Sequence, residues 1–202
     1  MFEKFKRGIH GCWYFFWGHL LAFFFYDKKY LTGRWFRGRL HGLCAGGWIW
    51  VTYDAVGRIL LHINTEAKFP VSPQMNVVCP ENIKFDPDDL NNFQSSGSYF
   101  QAIGSITIGK GTYIAPNVGL ITSNHMIGNL DAHTPPEPIV LGESCWIGMN
   151  SVILPGVTLG PNTVVGAGSV VTHSFPEGNC ILVGNPAHKI RDIYKGENNE
   201  KS

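Results

Sequence analysis

Aliphatic residues recur every six positions along the second half of this 202-residue chain. The series consists of Ile108, Ile114, Leu120, Leu141, Ile147, Ile153, Leu159, Val165 and Val171. A period of six matches neither the 3.6-residue helix nor the two-residue alternation of an ordinary strand. It is typical of a chain that turns one aliphatic side chain inward, runs a very short strand, bends, and repeats.

Two further columns share this period. Three residues after an aliphatic stands glycine or asparagine, the residues that most easily reach positive φ: Gly111, Asn117, Asn150, Gly156, Asn162 and Gly168. The next position holds a small or β-branched residue: Thr112, Val118, Cys145, Ser151, Val157, Thr163 and Ser169. The columns predict a triangular parallel β-helix whose stacked coils bury one continuous apolar core. The alternative, a glycine-rich β-sandwich, requires independent columns to share one period by accident.

Four segments carry a family resemblance: Ile108 to Asn117 (IGKGTYIAPN), Asn124-His125, Ile147 to Thr172 (IGMNSVILPGVTLGPNTVVGAGSVVT) and Gly184 to Arg191 (GNPAHKIR). With them the chain resembles the hexapeptide-repeat acyltransferases, and among these the sugar and xenobiotic O-acetyltransferases of the maltose and galactoside acetyltransferase type. The resemblance implies an all-β, left-handed parallel β-helix. The left-handed sense comes from the resemblance alone, since parallel crossovers are otherwise almost always right-handed.

The chain divides into three parts by composition. Residues 1–40 form an aromatic, basic-flanked segment, residues 60–191 form the β-helix with a loop at 121–140, and residues 192–202 form a polar tail. A net charge of +1 without a Lys/Arg stripe argues against a nucleic-acid partner. Five cysteines without metal-type spacing indicate reduced thiols and a cytoplasmic location.

The run Gly8 to Tyr26 (GIHGCWYFFWGHLLAFFFY) is almost wholly aromatic and aliphatic, with Lys and Arg on both sides. It lacks the cleavage site of a secretory signal. It is borderline in length for a bilayer span and is interrupted by histidines. Aromatic residues with basic flanks favour a helix lying on the inner face of the cytoplasmic membrane. A cap on the β-helix, an oligomer contact and a span remain alternatives.

The six-residue phase breaks between Leu120 and Leu141, which are 21 residues apart. A loop must therefore leave the prism there, and loops on rigid scaffolds often carry function. Acyl transfer from a thioester needs a base near the acceptor hydroxyl, and neutral imidazole suits this task. His125 matches the family's catalytic histidine, and Asp131 is a candidate carboxylate to orient its ring.

The resemblance also implies binding residues. Asn92, Asn124, His133 and Trp146 are candidates for contact with the acceptor or the reacting end of the donor. Around the pantetheine arm and phosphates of acetyl-CoA, the matching positions are Gly148, Ala167, Gly168, Ser169, Lys189 and Arg191. Backbone N–H groups along a coil edge could hold the arm and stabilise an oxyanion. A homotrimer with each site between two prisms is implied as well, and no metal is expected.

The function these residues predict is acyl-CoA-dependent O-acetylation of a sugar in a surface polysaccharide or lipid-linked glycan precursor. The first alternative is an antibiotic acetyltransferase. Its soluble substrate would give no reason for a membrane anchor. Two further alternatives are a β-helical zinc hydratase, which needs three converging histidines, and a non-catalytic scaffold. The sequence does not identify the acceptor sugar, the acylated position or the length of the acyl group.

Overall fold

Two α-helices precede a three-sided parallel β-helix in the computed structural model, which describes residues 2–38, 42–43 and 45–193, with side chains from Gly11 onward. Helix α1 spans Phe2–Phe25 and helix α2 spans Gly47–Leu61. Short 3-10 helices span Lys28–Leu31, Arg34–Phe36, Pro80–Asn82 and Pro87–Phe93. The parallel β-helix and the helical extension were both predicted. The left-handed sense of the coils stays a prediction.

The β-helix has three faces of stacked short strands. The first face holds β1 (Asn76–Val78), β3 (Tyr99–Gln101), β6 (Gly119–Ile121), β11 (Val152–Ile153) and β14 (Val170–Val171), all parallel. The second face holds β2 (Ile83–Lys84), β4 (Ile106–Ile108), β9 (Ile139–Leu141) and β12 (Thr158–Leu159). The third holds β5 (Tyr113–Ile114), β10 (Trp146–Ile147), β13 (Val164–Val165), β15 (Cys180–Gly184) and the antiparallel β16 (Ala187–Asp192).

The sequence columns occupy the positions predicted for them. All nine aliphatic residues of the six-residue series are buried, and so are all seven small or β-branched residues that follow them. The six glycine and asparagine positions have φ values between 56° and 78°. Ser144 occupies the same place in its hexad with φ 55°. Each coil therefore turns through a residue in the left-handed region of backbone space, and its aliphatic side chains fill one continuous core.

The first coil departs from the pattern, because the 3-10 segment Pro87–Phe93 stands where the third face would have a strand. The Asp86 carboxylate begins this segment by accepting a hydrogen bond from the Asp88 N–H at 2.9 Å. That bond, aided by Lys110, holds the pKa of Asp86 below its ordinary value. The Asp89 carboxylate accepts from the Gly111 N–H at 2.7 Å, which ties the segment to the coil above.

Helix α2 was not predicted from the sequence, and it joins the N-terminal part to the start of the β-helix. Asp54 and Arg58 form a buried ion pair at 2.8 Å. The Asp54 carboxylate also accepts from the Tyr26 hydroxyl at 2.7 Å and the Val71 N–H at 3.0 Å. The Arg58 guanidinium donates to the carbonyls of Ala67 and Phe69. Burial raises the pKa of Asp54, although Arg58 opposes that shift. A single polar network thus connects the end of α1, helix α2 and the segment that leads into β1.

Three observations complete the fold. In the described part of the chain, no helix is both long enough and apolar enough to cross a bilayer. Cys12, Cys79, Cys145 and Cys180 are free thiols, whereas Cys44 lies outside the described residues. The predicted polar tail, residues 192–202, lies outside the described residues after position 193.

Candidate active site

The phase-breaking loop is a 15-residue insertion into one coil. Leu120 pairs with Ile153, 33 residues later, while Ile153 pairs with Val171 after the regular 18. The inserted residues form an antiparallel hairpin of β7 (His125–Met126) and β8 (Asn129–His133). Gly128, at φ 89°, lies in the turn of this hairpin.

The base of the hairpin is fixed to the rigid coil by hydrogen bonds. The Ser123 hydroxyl donates to the Thr134 carbonyl at 2.8 Å, and the Glu137 N–H donates to the Thr122 carbonyl at 2.8 Å. The Ser123 N–H donates to the Gln101 side-chain oxygen at 3.0 Å. The loop therefore begins and ends at fixed points, although its tip reaches into solvent.

His125 is exposed on this hairpin and has one defined partner. Its Nδ1 lies 2.7 Å from the carbonyl oxygen of Leu130. A carbonyl only accepts, so Nδ1 carries the proton in this hydrogen bond, and Nε2 of the neutral ring keeps its lone pair. The ring lies against that of His133, with centroids 4.3 Å apart. The geometry presents Nε2 as a proton acceptor, which is what a general base requires.

The other residues predicted for the loop have different surroundings. The Leu130 carbonyl lies at Nδ1 of His125, where we expected the Asp131 carboxylate. Asp131 is exposed, and its backbone N–H donates to the Asn129 side-chain oxygen at 3.3 Å. Asn124 is exposed, and its carbonyl accepts from the Thr134 N–H at 2.7 Å. The loop thus brings His125, His133 and Asn124 together.

Asn92 does not join them. Its side chain is fully buried, donates to the Thr112 carbonyl at 2.8 Å and accepts from the Ile114 N–H at 2.9 Å. The first coil has no strand on the third face, and these two hydrogen bonds take the place of the backbone hydrogen bonds that such a strand would make to β5. They leave neither the amide N nor the amide O of Asn92 facing the loop, so the structure gives this residue a supporting contact between coils.

Three of the residues predicted to hold acetyl-CoA lie around one corner of the prism, between the third and first faces. Gly148, Ala167 and Gly168 occupy this corner in two successive coils. A Cβ at Gly148 would stand 2.6 Å from the Val165 carbonyl oxygen, whereas a Cβ at Gly168 would meet nothing within 4 Å. The stacking of coils alone therefore requires glycine at position 148, and the space beside Gly168 is open.

The remaining predicted positions divide between surface and core. Trp146 is 56% exposed on the third face, in register with Tyr113 of the coil before it. Ser169 is buried, and its hydroxyl accepts from the Gly184 N–H at 3.2 Å. Lys189 and Arg191 lie on β16, where the Lys189 ammonium pairs with Asp192 at 2.9 Å. The side chains of Trp146 and Lys189 are therefore exposed on the third face, whereas that of Ser169 is buried.

Sequence reasoning missed two contributors to the loop. The Leu130 carbonyl carries no signal, because every residue has one. Gln101 lies 22 residues before Ser123, on β3 of the adjacent coil, and only the stacking of the two coils brings its side chain to the loop. In the described part of the chain, no three His, Cys, Asp or Glu side chains lie close enough to hold a metal ion.

A family model described as bacterial transferase hexapeptide, six repeats, matches residues 138–173, which contain β9 to β14. A protein of Dictyostelium discoideum, named as a candidate acetyltransferase, is 41% identical over 133 residues, covering 64% of this chain and 68% of that protein. The chain therefore belongs to the bacterial transferase hexapeptide family.

Two further similarities describe the range of its relatives. A candidate colanic acid biosynthesis acetyltransferase of Escherichia coli, WcaF, is 41% identical over 110 residues, covering 54% of this chain and 56% of that protein. A solved galactoside acetyltransferase in complex with coenzyme A is 33% identical to this chain, with a TM-score of 0.49. The match covers 62% of this chain and 65% of that enzyme's chain. The chain spans 45% to 68% of the length of the curated relatives it matches.

Proposed function

We propose that the protein transfers an acetyl group from acetyl-CoA to a sugar hydroxyl of a surface polysaccharide or lipid-linked glycan precursor. The observation that carries the proposal is the geometry of His125, whose Nδ1 is held by a carbonyl while Nε2 remains free to accept. In the reaction, Nε2 takes the proton of the acceptor hydroxyl as its oxygen attacks the thioester carbonyl. An ester forms, and coenzyme A leaves as the thiol after receiving that proton.

Removing the imidazole tests this role. His125→Ala should lower turnover by about 10² to 10⁴ and leave the thermal unfolding midpoint close to the parent value, because the ring is exposed. The assay follows release of the coenzyme A thiol with an acceptor sugar. The matched control is His173→Ala, which removes another exposed histidine, far from the loop in sequence. Parent turnover in His125→Ala would contradict the assignment.

The positions of the two parts of the proposed site support a homotrimer. The loop joins the first face to the second, but Gly148 and Gly168 turn the chain from the third face to the first. One chain therefore carries the loop and the proposed acetyl-CoA corner on different corners of its prism. We place each site between two chains of a closed ring, the loop of one facing the corner of the next.

Mixed oligomers test this arrangement. His125→Ala disables the loop, and Ala167→Trp is designed to fill the proposed acetyl-CoA corner. Each variant alone should be inactive. Co-expression should restore activity at about a quarter of the interfaces, because random mixing joins an intact loop to an intact acetyl-CoA corner in that fraction of them. Sedimentation should report a trimer. A monomer that is fully active at the assay concentration would contradict the model.

The relative named for colanic acid biosynthesis supports a polysaccharide acceptor. The acceptor itself is best found by mass spectrometry of surface glycans from cells with and without the protein. An acyl mass that disappears with the protein would give both the group and its carrier. An unchanged glycan profile, together with activity on an antibiotic, would favour the xenobiotic alternative.

We further propose that residues 8–26 hold the enzyme on the inner face of the cytoplasmic membrane as a peripheral contact. The outward side of α1 supports this, because most of the exposed side chains in its last four turns are apolar or aromatic: Trp13, Phe16, Trp17, Leu20, Phe23 and Phe24. Cys12 and His19 are also exposed in this part of the helix, and no Asp, Glu, Lys or Arg side chain is. Such surface is costly to leave in water. Cell fractionation tests it, and an intact protein that stays soluble without detergent or lipid would contradict it.

A further inference from the structure

Helix α2 buries its charged side chains and exposes apolar ones. Its only charged residues, Asp54 and Arg58, are 1% and 3% exposed and pair with each other inside the protein. Its outward positions hold Ile49, Tyr53, Val56, Ile59, Leu60 and Leu61, all exposed. A helix that faces water normally places its charges outside and its aliphatics inside. The outer face of α2 is therefore built for a surrounding other than water.

This face adjoins the exposed face of α1. The ring of Tyr53 stacks on that of Tyr14, with centroids 6.3 Å apart. Ile59 borders a small cavity together with Phe25 of α1. Between the helices, a second cavity of about 540 Å³ is lined mainly by apolar atoms. Its lining residues are Ala22, Phe23, Tyr26, Leu31 and Trp48, together with His19, Lys28 and Thr32. The exposed faces of the two helices therefore adjoin, and both are mainly apolar. The ionisable side chains exposed in the two cavities beside them are His19, His62 and Lys28.

Basic residues border this surface where α1 ends. Lys28, Lys29, Arg34 and Arg37 are all exposed within ten residues, against one exposed acid, Asp27. The Lys29 ammonium lies over the Tyr30 ring at 4.6 Å. The Arg34 guanidinium lies over the Trp35 ring at 5.0 Å and also pairs with the Asp89 carboxylate at 3.8 Å. Cations beside aromatic rings suit the headgroup region of an anionic bilayer, with the apolar face below them.

We infer that α2 is the second half of the membrane contact, and that both helices lie together in the headgroup and acyl boundary of an anionic bilayer. This rests on the proposed peripheral attachment and extends it to a helix outside residues 8–26. The inward Asp54–Arg58 pair removes from the lipid-facing side the only charges that α2 has. The cavity between the helices gives a lipid chain a place to enter beside Lys28.

Vesicle flotation separates the contributions of the two helices. The probe is vesicles of phosphatidylethanolamine with phosphatidylglycerol, compared with vesicles of phosphatidylcholine alone. Val56→Glu with Leu60→Glu alters α2, and Phe16→Glu with Phe23→Glu alters α1. Each pair should weaken binding to anionic vesicles by at least about tenfold, because a charge in the boundary opposes insertion. The control pair Tyr99→Glu with Ile103→Glu, which changes two exposed apolar residues of the β-helix, should bind like the parent.

A second measurement covers the case in which a charged variant fails to fold. In a background that carries Cys12→Ser, Cys44→Ser and Cys79→Ser, Val56→Cys and, separately, Ile103→Cys are labelled with an environment-sensitive fluorophore. Addition of anionic vesicles should shift the emission to the blue at position 56 and leave it unchanged at position 103.

Each other outcome overturns the inference. Loss of binding with the α1 pair but not the α2 pair, without a blue shift at position 56, would leave the proposed α1 attachment and refute the role of α2. No binding by the parent would refute both. A change of sedimentation with the α2 pair, without a change in vesicle binding, would assign the face to contact between copies.

Discussion

Removing the loop residues 124–138 should restore a regular coil while abolishing catalysis. The insertion adds 15 residues to an 18-residue spacing, and the deletion takes away the same number. Leu141 would then follow Leu120 by six residues, as the other aliphatics follow one another. Ser123 would occupy the turn position that Ser144 fills with φ 55° in its own hexad, and Ser123→Gly would relax that turn further.

The stability change should be small because two effects oppose each other. Closing a shorter loop saves about 1 to 2 kcal/mol of chain entropy. The loss of the hydrogen bonds that Thr134 and Glu137 make at the loop base costs about 1 kcal/mol each. The net change should lie within about 2 kcal/mol, which corresponds to a shift of less than about 8 °C in the unfolding midpoint of a chain this size.

A deletion longer by one residue is the matched control. Removing 124–139 brings Leu141 one position too early, so its side chain would leave the core or strain the coil. Burying Leu141 contributes on the order of 2 to 5 kcal/mol, and the midpoint should fall accordingly. Circular dichroism melting and the thiol-release assay report both properties.

Two results would refute this reasoning. Acetyl transfer at the parent rate by the 124–138 deletion would remove His125 from the mechanism. Equal melting of the two deletions would show that the register of Leu141 does not depend on the length of the loop.

Three further predictions concern stability and reactivity. Asp54→Ala should destabilise the protein by about 3 to 5 kcal/mol in urea unfolding, because Arg58 is left buried without its partner; Asp54→Leu with Arg58→Met should recover most of that loss, and no recovery would contradict the reading. Burial raises the pKa of the Cys145 thiol, so iodoacetamide at pH 8 should modify Cys145 only after unfolding, as mass spectrometry would report; rapid modification of the native protein would contradict this. Asn150→Ala should cost about 1 to 2 kcal/mol at φ 60°, whereas Asn150→Gly should be nearly neutral, and equal melting would count against a requirement for left-handed backbone.

The sequence alone determined the β-helix because the information is local and repeated. A residue such as Asn117 reaches positive φ through its own backbone preference, and Ile147 turns inward because its neighbours six residues away do the same. The same period located the loop by its interruption, and with it His125. None of these inferences needs a contact between distant segments.

Helix α2 was missed for the opposite reason. Its segment has apolar residues on every side and a single Asp–Arg pair, so its periodicity does not say which face is inside. The faces are set by the carbonyls of Ala67 and Phe69 and by the Tyr26 hydroxyl, all of which reach Asp54 or Arg58 only after folding.

The details of the site also depend on tertiary structure. The family resemblance suggested Asn92 as a contact for the acceptor, and the analogy with a catalytic triad suggested Asp131 as the partner of His125. In the folded chain the Asn92 amide is bonded to the backbone of the next coil, and the Leu130 carbonyl lies at Nδ1 of His125. Periodicity fixes which residues turn inward, since that choice repeats along the chain. The partner of each polar group is decided by which loops and coils meet in space, and no repeat encodes that.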